Sequence, residues 1–313
     1  MRASDLDYEL PAELIAQRPA ARRDEARLLV FERRTGEVRH RGFSELPDEL
    51  APGDLVVVND TRVIPARLTV KRPGGGEAEI LLLERAEGAL WEALARPARR
   101  LRPSMRLGPV ELLESLGGGR WLVRLEGEPE GEVPLPPYIR TPLDDPERYQ
   151  TVYAARSGSA AAPTAGLHFT PDVLDRLEVE RVTLHVGLDT FRPIAAGELG
   201  EHALNGERYA VAPEAWRRIE GAGRAVAVGT TTVRVLETVA GGGPLEGRTE
   251  LFVTPGFRFR RVGALVTNFH LPRTTLLALV MAFAGVEETR ELYRAAIEAR
   301  YRFYSFGDAM LIL

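Results

Sequence analysis

The sequence contains no cysteine among its 313 residues. This absence excludes disulfide bonds, thiol nucleophiles, thiolate zinc sites and cysteine-ligated iron–sulfur clusters. Any chemistry must come from histidine, acidic, arginine, tyrosine or hydroxyl side chains, or from a bound substrate. Three of the histidines, His168, His185 and His202, stand 17 residues apart, which is not the spacing of a compact ligand pair. We therefore expect no metal site.

Long hydrophobic runs are also absent. The longest, residues 276–284, falls well short of the roughly 18 residues that span a bilayer. The first ten residues carry acids and no apolar segment, so no signal peptide is predicted. We expect a cytoplasmic protein that makes no membrane contact and is a monomer. Because domains usually have about 100–200 residues, the length predicts about two of them.

Lysine is nearly missing, since Lys71 is the only one, and arginine carries the positive charge. The net charge is −4, but three clusters concentrate arginine: Arg18, Arg22, Arg23 and Arg27; Arg96, Arg99, Arg100, Arg102 and Arg106; and Arg258, Arg260 and Arg261. Arginine suits bidentate phosphate contacts. It can equally reflect base composition or heat adaptation, so the clusters are candidate phosphate contacts and not proof of a nucleic-acid partner.

Strand and helix patterns alternate at both ends of the chain, which predicts an α/β layer. Strands are predicted at 27–31, 37–43, 54–59, 182–186, 225–228, 251–254 and 264–268, and helices at 11–17, 171–177, 213–221, 231–239, 274–283 and 287–300. Between them, short strand-like runs separated by glycine turns predict a small antiparallel β-barrel. We predict a discontinuous α/β main domain of residues 1–60 and 150–313, with an inserted β-barrel domain of residues 61–149.

A small, almost chargeless segment, residues 158–170, contains His168 and leads into a helix start at Thr170. A glycine-interrupted loop before a helix N-terminus is a common place for a polar ligand. The alternative is a connector between domains, in which His168 is a hydrogen-bonded core histidine.

Two strand–turn–helix units are further candidates. Thr230, Thr231 and Thr232 open a helix whose free N–H groups and hydroxyls suit a carboxylate or phosphate, and Arg234 could add a charge-assisted bond. The alternative is an ordinary capped helix. The second unit presents Asn268, His270, Arg273 and Thr274 where a strand ends, which is where α/β proteins bind ligands. These side chains could instead satisfy loop backbone groups.

Two other patterns carry less weight. Residues 242–249 imitate a phosphate-binding P-loop, but Arg248 replaces the required lysine and a strand is predicted to follow, so we reject that function. Residues 301–308 are aromatic and basic, and they could stack on splayed RNA bases or close the core after the last helix. Asp308 could form a structural ion pair with Arg302.

The sequence as a whole resembles a known family. The motifs DYELPAELIAQRP, RLLVF, PGDLVVVNDTRVIPARL, RYQTVYA, GSAAAPTAGLHFT, VTLHVGLDTFRP, VGTTTVR, ALVTNFHLPRTTLL and YRFYSFGDAMLI occur in this order. Together they are similar to the S-adenosylmethionine:tRNA ribosyltransferase-isomerases of queuosine biosynthesis. The resemblance implies transfer and isomerisation of the ribosyl part of S-adenosylmethionine onto the aminomethyl group of 7-aminomethyl-7-deazaguanine at the tRNA wobble position. Epoxyqueuosine-tRNA forms and adenine and methionine leave, with no metal or redox cofactor.

The resemblance also implies site residues. A base must remove a proton next to the sulfonium, and His168, His185 and His270 lie in matching motifs. The predicted substrate-binding residues are Thr164, Gly166, Thr230, Thr231, Thr232, Arg234, Asn268, Arg273 and Thr274. The sequence departs from the family pattern at Asp189, where glycine is usual, and at Asn205, where a histidine is expected. These departures weaken the inference that His202 and Glu207 have the roles of the matching residues of the family. The partners implied are S-adenosylmethionine and the tRNA anticodon loop.

Two other functions remain open at this point. The chain could be a non-catalytic RNA-binding module whose barrel grips an anticodon loop, which would bind tRNA without any dependence on S-adenosylmethionine. It could also be a metal-independent hydrolase that uses a His–Asp pair, although the sequence contains no nucleophile elbow.

Overall fold

The computed structural model describes residues 1–72, 75–187, 194, 197–199, 202, 204 and 206–313. In these ranges the strands are β1 (Arg27–Glu32), β2 (Glu37–Gly42), β3 (Asp54–Asn59), β4 (Thr61–Val63), β5 (Arg67–Lys71), β6 (Glu77–Arg85), β7 (Leu90–Arg96), β8 (Arg106–Leu107), β9 (Val110–Gly117), β10 (Arg120–Leu125), β11 (Arg156–Ser159), β12 (Val179–Leu184), β13 (Glu207–Ala210), β14 (Arg224–Val228), β15 (Glu246–Thr249), β16 (Val262–Asn268) and β17 (Ala309–Ile312).

The α-helices in the same ranges are α1 (Leu46–Glu49), α2 (Pro171–Leu174), α3 (Pro213–Gly221), α4 (Thr230–Ala240), α5 (Thr275–Ala284) and α6 (Val286–Glu298). Short 3₁₀ turns occur at Ala3–Leu6, Ala12–Leu14, Arg23–Glu25, Phe43–Glu45, Ala98–Arg100, Pro146–Tyr149 and Thr164–His168.

A nine-stranded mixed sheet forms the main layer, in the order β15-β13-β12-β3-β14-β16-β17-β1-β2. Strands β12, β3, β14 and β16 run parallel to one another in its centre. The carboxyl ends of these four strands therefore meet at one edge of the sheet.

Both faces of this sheet are covered, which explains why its central strands are continuous apolar runs. Side chains alternate along a strand, so Val57 and Val56 enter different cores. Helices α4 and α5 pack on the Val57 side, while Phe43, Phe169 and α2 pack on the Val56 side. The alternation fixes the register, because a one-residue slip would exchange the two faces.

Strands β5 to β10 form a separate six-stranded antiparallel sheet with its own core, which includes Trp91 and Trp121. The predicted fold class, an α/β protein with an inserted antiparallel barrel-like sheet, is thereby confirmed. The insertion boundaries at residues 61 and 149 stay a prediction. A short parallel pair, β4 with β11, lies near both predicted boundaries.

Several predicted elements are wrong in extent. The helix predicted at 11–17 is only the 3₁₀ turn Ala12–Leu14, since the next residue, Ile15, is extended and bridges Phe303. The predicted strand 251–254 has no strand pairing, and β15 ends at Thr249 instead. Helix α2 stops at Leu174, three residues before the predicted end.

The aromatic side chains of residues 301–306 belong to the hydrophobic core, so they are not available to stack on RNA bases. Tyr301 and Phe303 are fully buried, and β17 lies between β1 and β16. The Asp308 carboxylate accepts the backbone N–H groups of Arg27 at 2.9 Å and Arg302 at 2.8 Å. The predicted ion pair with the Arg302 side chain is therefore replaced by two main-chain hydrogen bonds.

Candidate active site

Polar side chains mark the carboxyl edge of the four central parallel strands. Asn59 ends β3, His185 follows β12, Thr231 lies in the first turn after β14, and Asn268 ends β16. The Asn59 amide donates to the Leu184 carbonyl at 2.9 Å and to the Thr231 hydroxyl at 3.4 Å. In α/β sheets this edge is where ligands bind.

The segment 158–170 crosses this edge, which accounts for its small residues. A Cβ built on Gly158 would lie 3.0 Å from Cε1 of His185, so the backbone lies directly against the imidazole. Farther along, the Thr164 hydroxyl donates to the Asn268 amide oxygen at 3.0 Å. The predicted helix start at its end is confirmed, because the Thr170 hydroxyl accepts the Val173 N–H at 3.3 Å.

A cavity of about 410 Å³ lies where the carboxyl edge faces the six-stranded sheet. The main sheet and its helices contribute His185, Thr230, Thr231, Arg234, Phe252 and Thr275 to its walls. The insertion contributes Glu84, Arg85, Trp91, Glu92, Arg120 and Glu128. Both parts of the chain are thus needed to form this cavity.

His185 is the predicted catalytic histidine that lines the cavity. The Thr61 hydroxyl lies 2.8 Å from its Nδ1 and donates to the Arg156 carbonyl at 3.4 Å. In the tautomer in which this hydroxyl accepts from Nδ1–H, the lone pair lies on Nε2. Burial, and then the positive charge of Arg208, lowers the pKa of His185. The imidazole is therefore neutral near pH 7 and can accept a proton at Nε2.

The N-terminus of α4 supplies hydrogen-bond donors to the same cavity. Helix α4 begins at Thr230, and the preceding Gly229 provides no side-chain cap. The first N–H groups of a helix have no partner within it and favour an anion. Thr230 and Thr231 line the cavity, whereas the Thr232 hydroxyl donates to the Val228 carbonyl at the end of β14. Thr232 therefore supports the turn and does not reach the cavity through its side chain.

Arg234 lies at the cavity wall, but its guanidinium is already bonded. It donates to the carboxylate of Glu207, to the Leu251 carbonyl at 2.9 Å and to the Thr249 carbonyl at 3.0 Å. Glu207 in turn accepts the Gly187 N–H at 2.8 Å. Arg234 thus joins α4 to β15 and to the chain beyond it, which is a structural role that its sequence position did not reveal.

His168 belongs to a different cluster at the far end of the same edge. Its Nε2 lies 3.0 Å from the Asn268 amide nitrogen, and the ring packs on Phe43. Because Asn268 donates here, Nε2 of His168 accepts and the imidazole is neutral. Burial, with Arg302 and Arg23 nearby, lowers the pKa of His168 to about 3. His168 does not line the large cavity.

Three more predicted residues lie away from the cavity. His270 is buried, its Nε2 is 2.7 Å from the Thr267 hydroxyl, and burial lowers its pKa to about 3. The Arg273 guanidinium pairs with Asp7 at the surface. Thr274 caps α5 by accepting the Leu277 N–H at 3.3 Å. The next residue after this cap, Thr275, is the one that reaches the cavity.

Gly166, which we predicted to bind substrate, is packed against two side chains instead. A Cβ there would lie 2.0 Å from the Tyr153 hydroxyl oxygen and 2.8 Å from Cγ2 of Thr151. The Tyr153 hydroxyl is buried and has no hydrogen-bond partner in the described part of the chain. Gly166 therefore allows close packing and does not provide open space for a ligand.

We expect Gly166→Ala to lower the free energy of unfolding by about 1–3 kcal/mol, because overpacking forces neighbouring groups apart. The double variant with Tyr153→Phe should recover part of this loss, since the closest contact is the hydroxyl, which has no partner to lose. Urea denaturation measures both.

The matched control for this prediction is Gly221→Ala at the end of α3, where no atom lies within 4 Å of the added Cβ. This change should be neutral or slightly stabilising. A Gly166→Ala protein as stable as the wild type would show that the contact is not tight.

Sequence reasoning missed the contribution of the insertion to the cavity. Arg120 contacts Glu92, and Arg85 lies 3.5 Å from Glu128, all within the inserted segment. These residues are spread over three strands and a loop, so no motif connects them. The sequence predicted only that the strand-like runs of this segment form a small antiparallel barrel. Asp189 and Asn205 lie outside the described residues, while the His202 ring packs 5.7 Å from Phe252.

Within the described ranges of the chain, no helix is both long and apolar enough to cross a bilayer.

A cavity at the carboxyl edge of the central parallel strands, faced by a second sheet, is typical of α/β proteins that bind a ligand between two parts of the chain. The sequence matches the family described as Queuosine biosynthesis protein over residues 3–312. The chain belongs to this family, and it is an enzyme, a transferase-isomerase. The resemblance seen in the sequence is thereby confirmed.

Relatives support this assignment along the whole chain. A protein of Rubrobacter xylanophilus named S-adenosylmethionine:tRNA ribosyltransferase-isomerase is 56% identical over 100% of this chain and 98% of its own. A protein of the same name from Symbiobacterium thermophilum is 51% identical over 100% of both chains. The crystal structure of S-adenosylmethionine tRNA ribosyltransferase from Thermotoga maritima is 39% identical, covers 99% of this chain and 100% of that chain, and has a TM-score of 0.57.

Proposed function

We propose that the chain transfers the ribosyl moiety of S-adenosylmethionine to the aminomethyl group of 7-aminomethyl-7-deazaguanine at the tRNA wobble position and isomerises it. The products are epoxyqueuosine-tRNA, adenine and methionine. The observation that carries the proposal is the cavity in which a neutral His185 and the N-terminus of α4 face the inserted sheet. Membership of the queuosine family supports these substrates.

The α4 N-terminus is suited to the methionyl carboxylate of S-adenosylmethionine. Backbone N–H groups at Thr230 and Thr231 carry partial positive charge, and an anion is stabilised there. Trp91 and Phe252 provide aromatic walls against which an adenine ring can pack. Arg234 contributes indirectly, by holding α4 in place.

His185 is suited to remove the proton next to the sulfonium. The reaction needs a base that is unprotonated at neutral pH and lies within hydrogen-bond reach of the substrate. His185 lines the cavity and its pKa is lowered, whereas His168 and His270 lie outside the cavity wall. We therefore assign the base to His185 and structural roles to the other two.

The side-chain hydrogen bonds of the arginines differ among the three clusters found in the sequence. Arg23 donates to the Leu167 carbonyl at 3.0 Å and Arg261 to the Ile219 carbonyl at 2.6 Å, so members of these clusters join chain segments. In the remaining cluster, which begins at the last residue of β7, four arginines are exposed and make no described side-chain hydrogen bond or ion pair: Arg96, Arg99, Arg100 and Arg102. This patch is suited to the phosphates of tRNA.

We expect the combined variant Arg99→Gln, Arg100→Gln and Arg102→Gln to weaken tRNA binding and to flatten its salt dependence. Each lost phosphate contact reduces the steepness of the slope of log K against log salt by about 0.7–0.9. Fluorescence anisotropy at several salt concentrations measures the slope. The control is Arg217→Gln, on the exposed side of α3, which should leave it unchanged. A triple variant with the wild-type slope would remove this patch from the tRNA site.

The proposal includes no metal and no redox cofactor, and S-adenosylmethionine is consumed as a substrate. It also keeps the cytoplasm as the location, a monomer as the oligomeric state and residues 61–149 as the inserted domain.

The test mixes the protein, S-adenosylmethionine and tRNA that carries the aminomethyl base, and follows free adenine by chromatography. Adenine released only with this tRNA supports the proposed reaction. Tight tRNA binding without adenine release would instead favour a non-catalytic RNA-binding module.

A further inference from the structure

One acidic residue of the insertion contacts two arginines of the main sheet. Glu84 Oε1 lies 2.6 Å from Nη1 of Arg248 and 3.7 Å from Nε of Arg208. Arg208 belongs to β13 and Arg248 to β15, the neighbouring strands at one edge of the nine-stranded sheet. We call Glu84, Arg208 and Arg248 the Glu84 cluster.

The Glu84 cluster lies between two spaces. All three residues line the cavity of about 410 Å³ and also a second groove of about 570 Å³. His185 lines both spaces as well. The ion pairs therefore stand where the groove meets the cavity that contains the proposed base.

The contacts within the cluster are weak enough to be exchanged. The side chains of Arg208 and Arg248 are 54% and 50% exposed, and that of Glu84 is 34% exposed. Ion pairs in such solvent contact contribute little to stability, because water and salt screen them. A phosphate group offers several charged oxygens to two arginine side chains and matches the planar guanidinium better than a single carboxylate oxygen.

We propose that Glu84 is a gate: it occupies Arg208 and Arg248 in the free protein, and a phosphate of the substrate RNA displaces it. Once these ion pairs are broken, the passage from the groove to the cavity is open next to the nucleotide that enters. This inference rests on the proposed function, since it takes tRNA as the partner. Glu84 therefore competes with the RNA backbone for the same two arginines.

The test compares tRNA affinity in Glu84→Gln, Arg248→Gln and the double variant. Removing the competing carboxylate should lower the Kd of Glu84→Gln about two- to five-fold, the factor that corresponds to one exposed ion pair. Arg248→Gln should raise the Kd and reduce the steepness of the slope of log K against log salt by about 0.7–0.9. In the double variant the gain from Glu84→Gln should shrink, because one of the two released arginines is missing.

The chain offers a matched control on the same inserted sheet. Glu111 pairs with Arg124 at 2.6 Å, with side-chain exposures of 26% and 51%, and neither residue lines the cavity or the groove. Glu111→Gln removes one negative charge as Glu84→Gln does, but it should change the Kd much less.

The outcomes separate the gate from the proposed function. If Glu84→Gln binds tRNA no more tightly than Glu111→Gln, or if Arg248→Gln keeps the wild-type salt slope, the gate is overturned while the proposed function stands. A wild-type protein that neither binds tRNA nor releases adenine would overturn the proposed function and the gate together.

Discussion

His185→Gln should slow the single-turnover release of adenine by about 10²–10⁴-fold, the usual contribution of a general base. Glutamine keeps a similar volume and an amide that can reach the Thr61 hydroxyl, but it cannot accept and retain a proton. Binding of S-adenosylmethionine should change little, because the α4 N-terminus is untouched. Rapid-quench measurement of adenine, with saturating substrates, separates the chemical step from binding.

The pH dependence gives this prediction a direction. The neutral imidazole is the active form, so the rate should rise with pH through the pKa of His185 and then level off. Because burial and Arg208 lower this pKa, the acid limb should lie below the ordinary histidine value of about 6.5. In His185→Gln this limb should be lost.

Two other histidines serve as controls for the base. His168→Gln and His270→Gln change side chains that are neutral, buried and outside the cavity wall. They should lower stability while the folded protein keeps its chemical step within about tenfold. Wild-type chemistry in His185→Gln, or a loss confined to one of the other two, would exclude the assignment of His185.

The sequence predicted the sheet well because its signals are local. The run Asp54–Asn59 is apolar and β-branched, and it forms a central strand buried on both faces. The turn at Thr230 follows a strand and opens a helix, as predicted, and its first threonines reach the cavity. Periodicity and cap residues are properties of neighbouring positions, so a single sequence is enough to read them.

The site was predicted less completely because cavity walls depend on distant contacts. Nothing near Glu84 in the sequence indicates that it meets Arg248, which is 164 positions away. Gly166 and His168 share the family motif with Thr164, yet the motif alone could not show that the first packs against Tyr153 and the second bonds Asn268. In both cases the residue type was informative, but its role depended on what the fold places opposite it.

Loss of the buried ion pair between Arg234 and Glu207 should have the largest effect on stability. Both side chains are only 9% exposed, so removing one partner leaves the other as a buried charge without its main counterion. We expect Arg234→Met to lower the free energy of unfolding by about 3–5 kcal/mol. Two backbone carbonyls, of Thr249 and Leu251, lose their donor in the same variant.

A double variant tests the cause of this loss. Adding Glu207→Met to Arg234→Met removes the buried carboxylate that has lost Arg234, so part of the stability should return even though no ion pair is restored. The exposed pair of Arg217 with Glu214, at 2.8 Å, is the matched comparison. Arg217→Met should change the free energy of unfolding by no more than about 0.5 kcal/mol. Urea denaturation of the four proteins measures these differences. An Arg234→Met protein as stable as Arg217→Met would mean that the apolar face of α4 alone holds the helix in place, and that the Arg234 guanidinium does not.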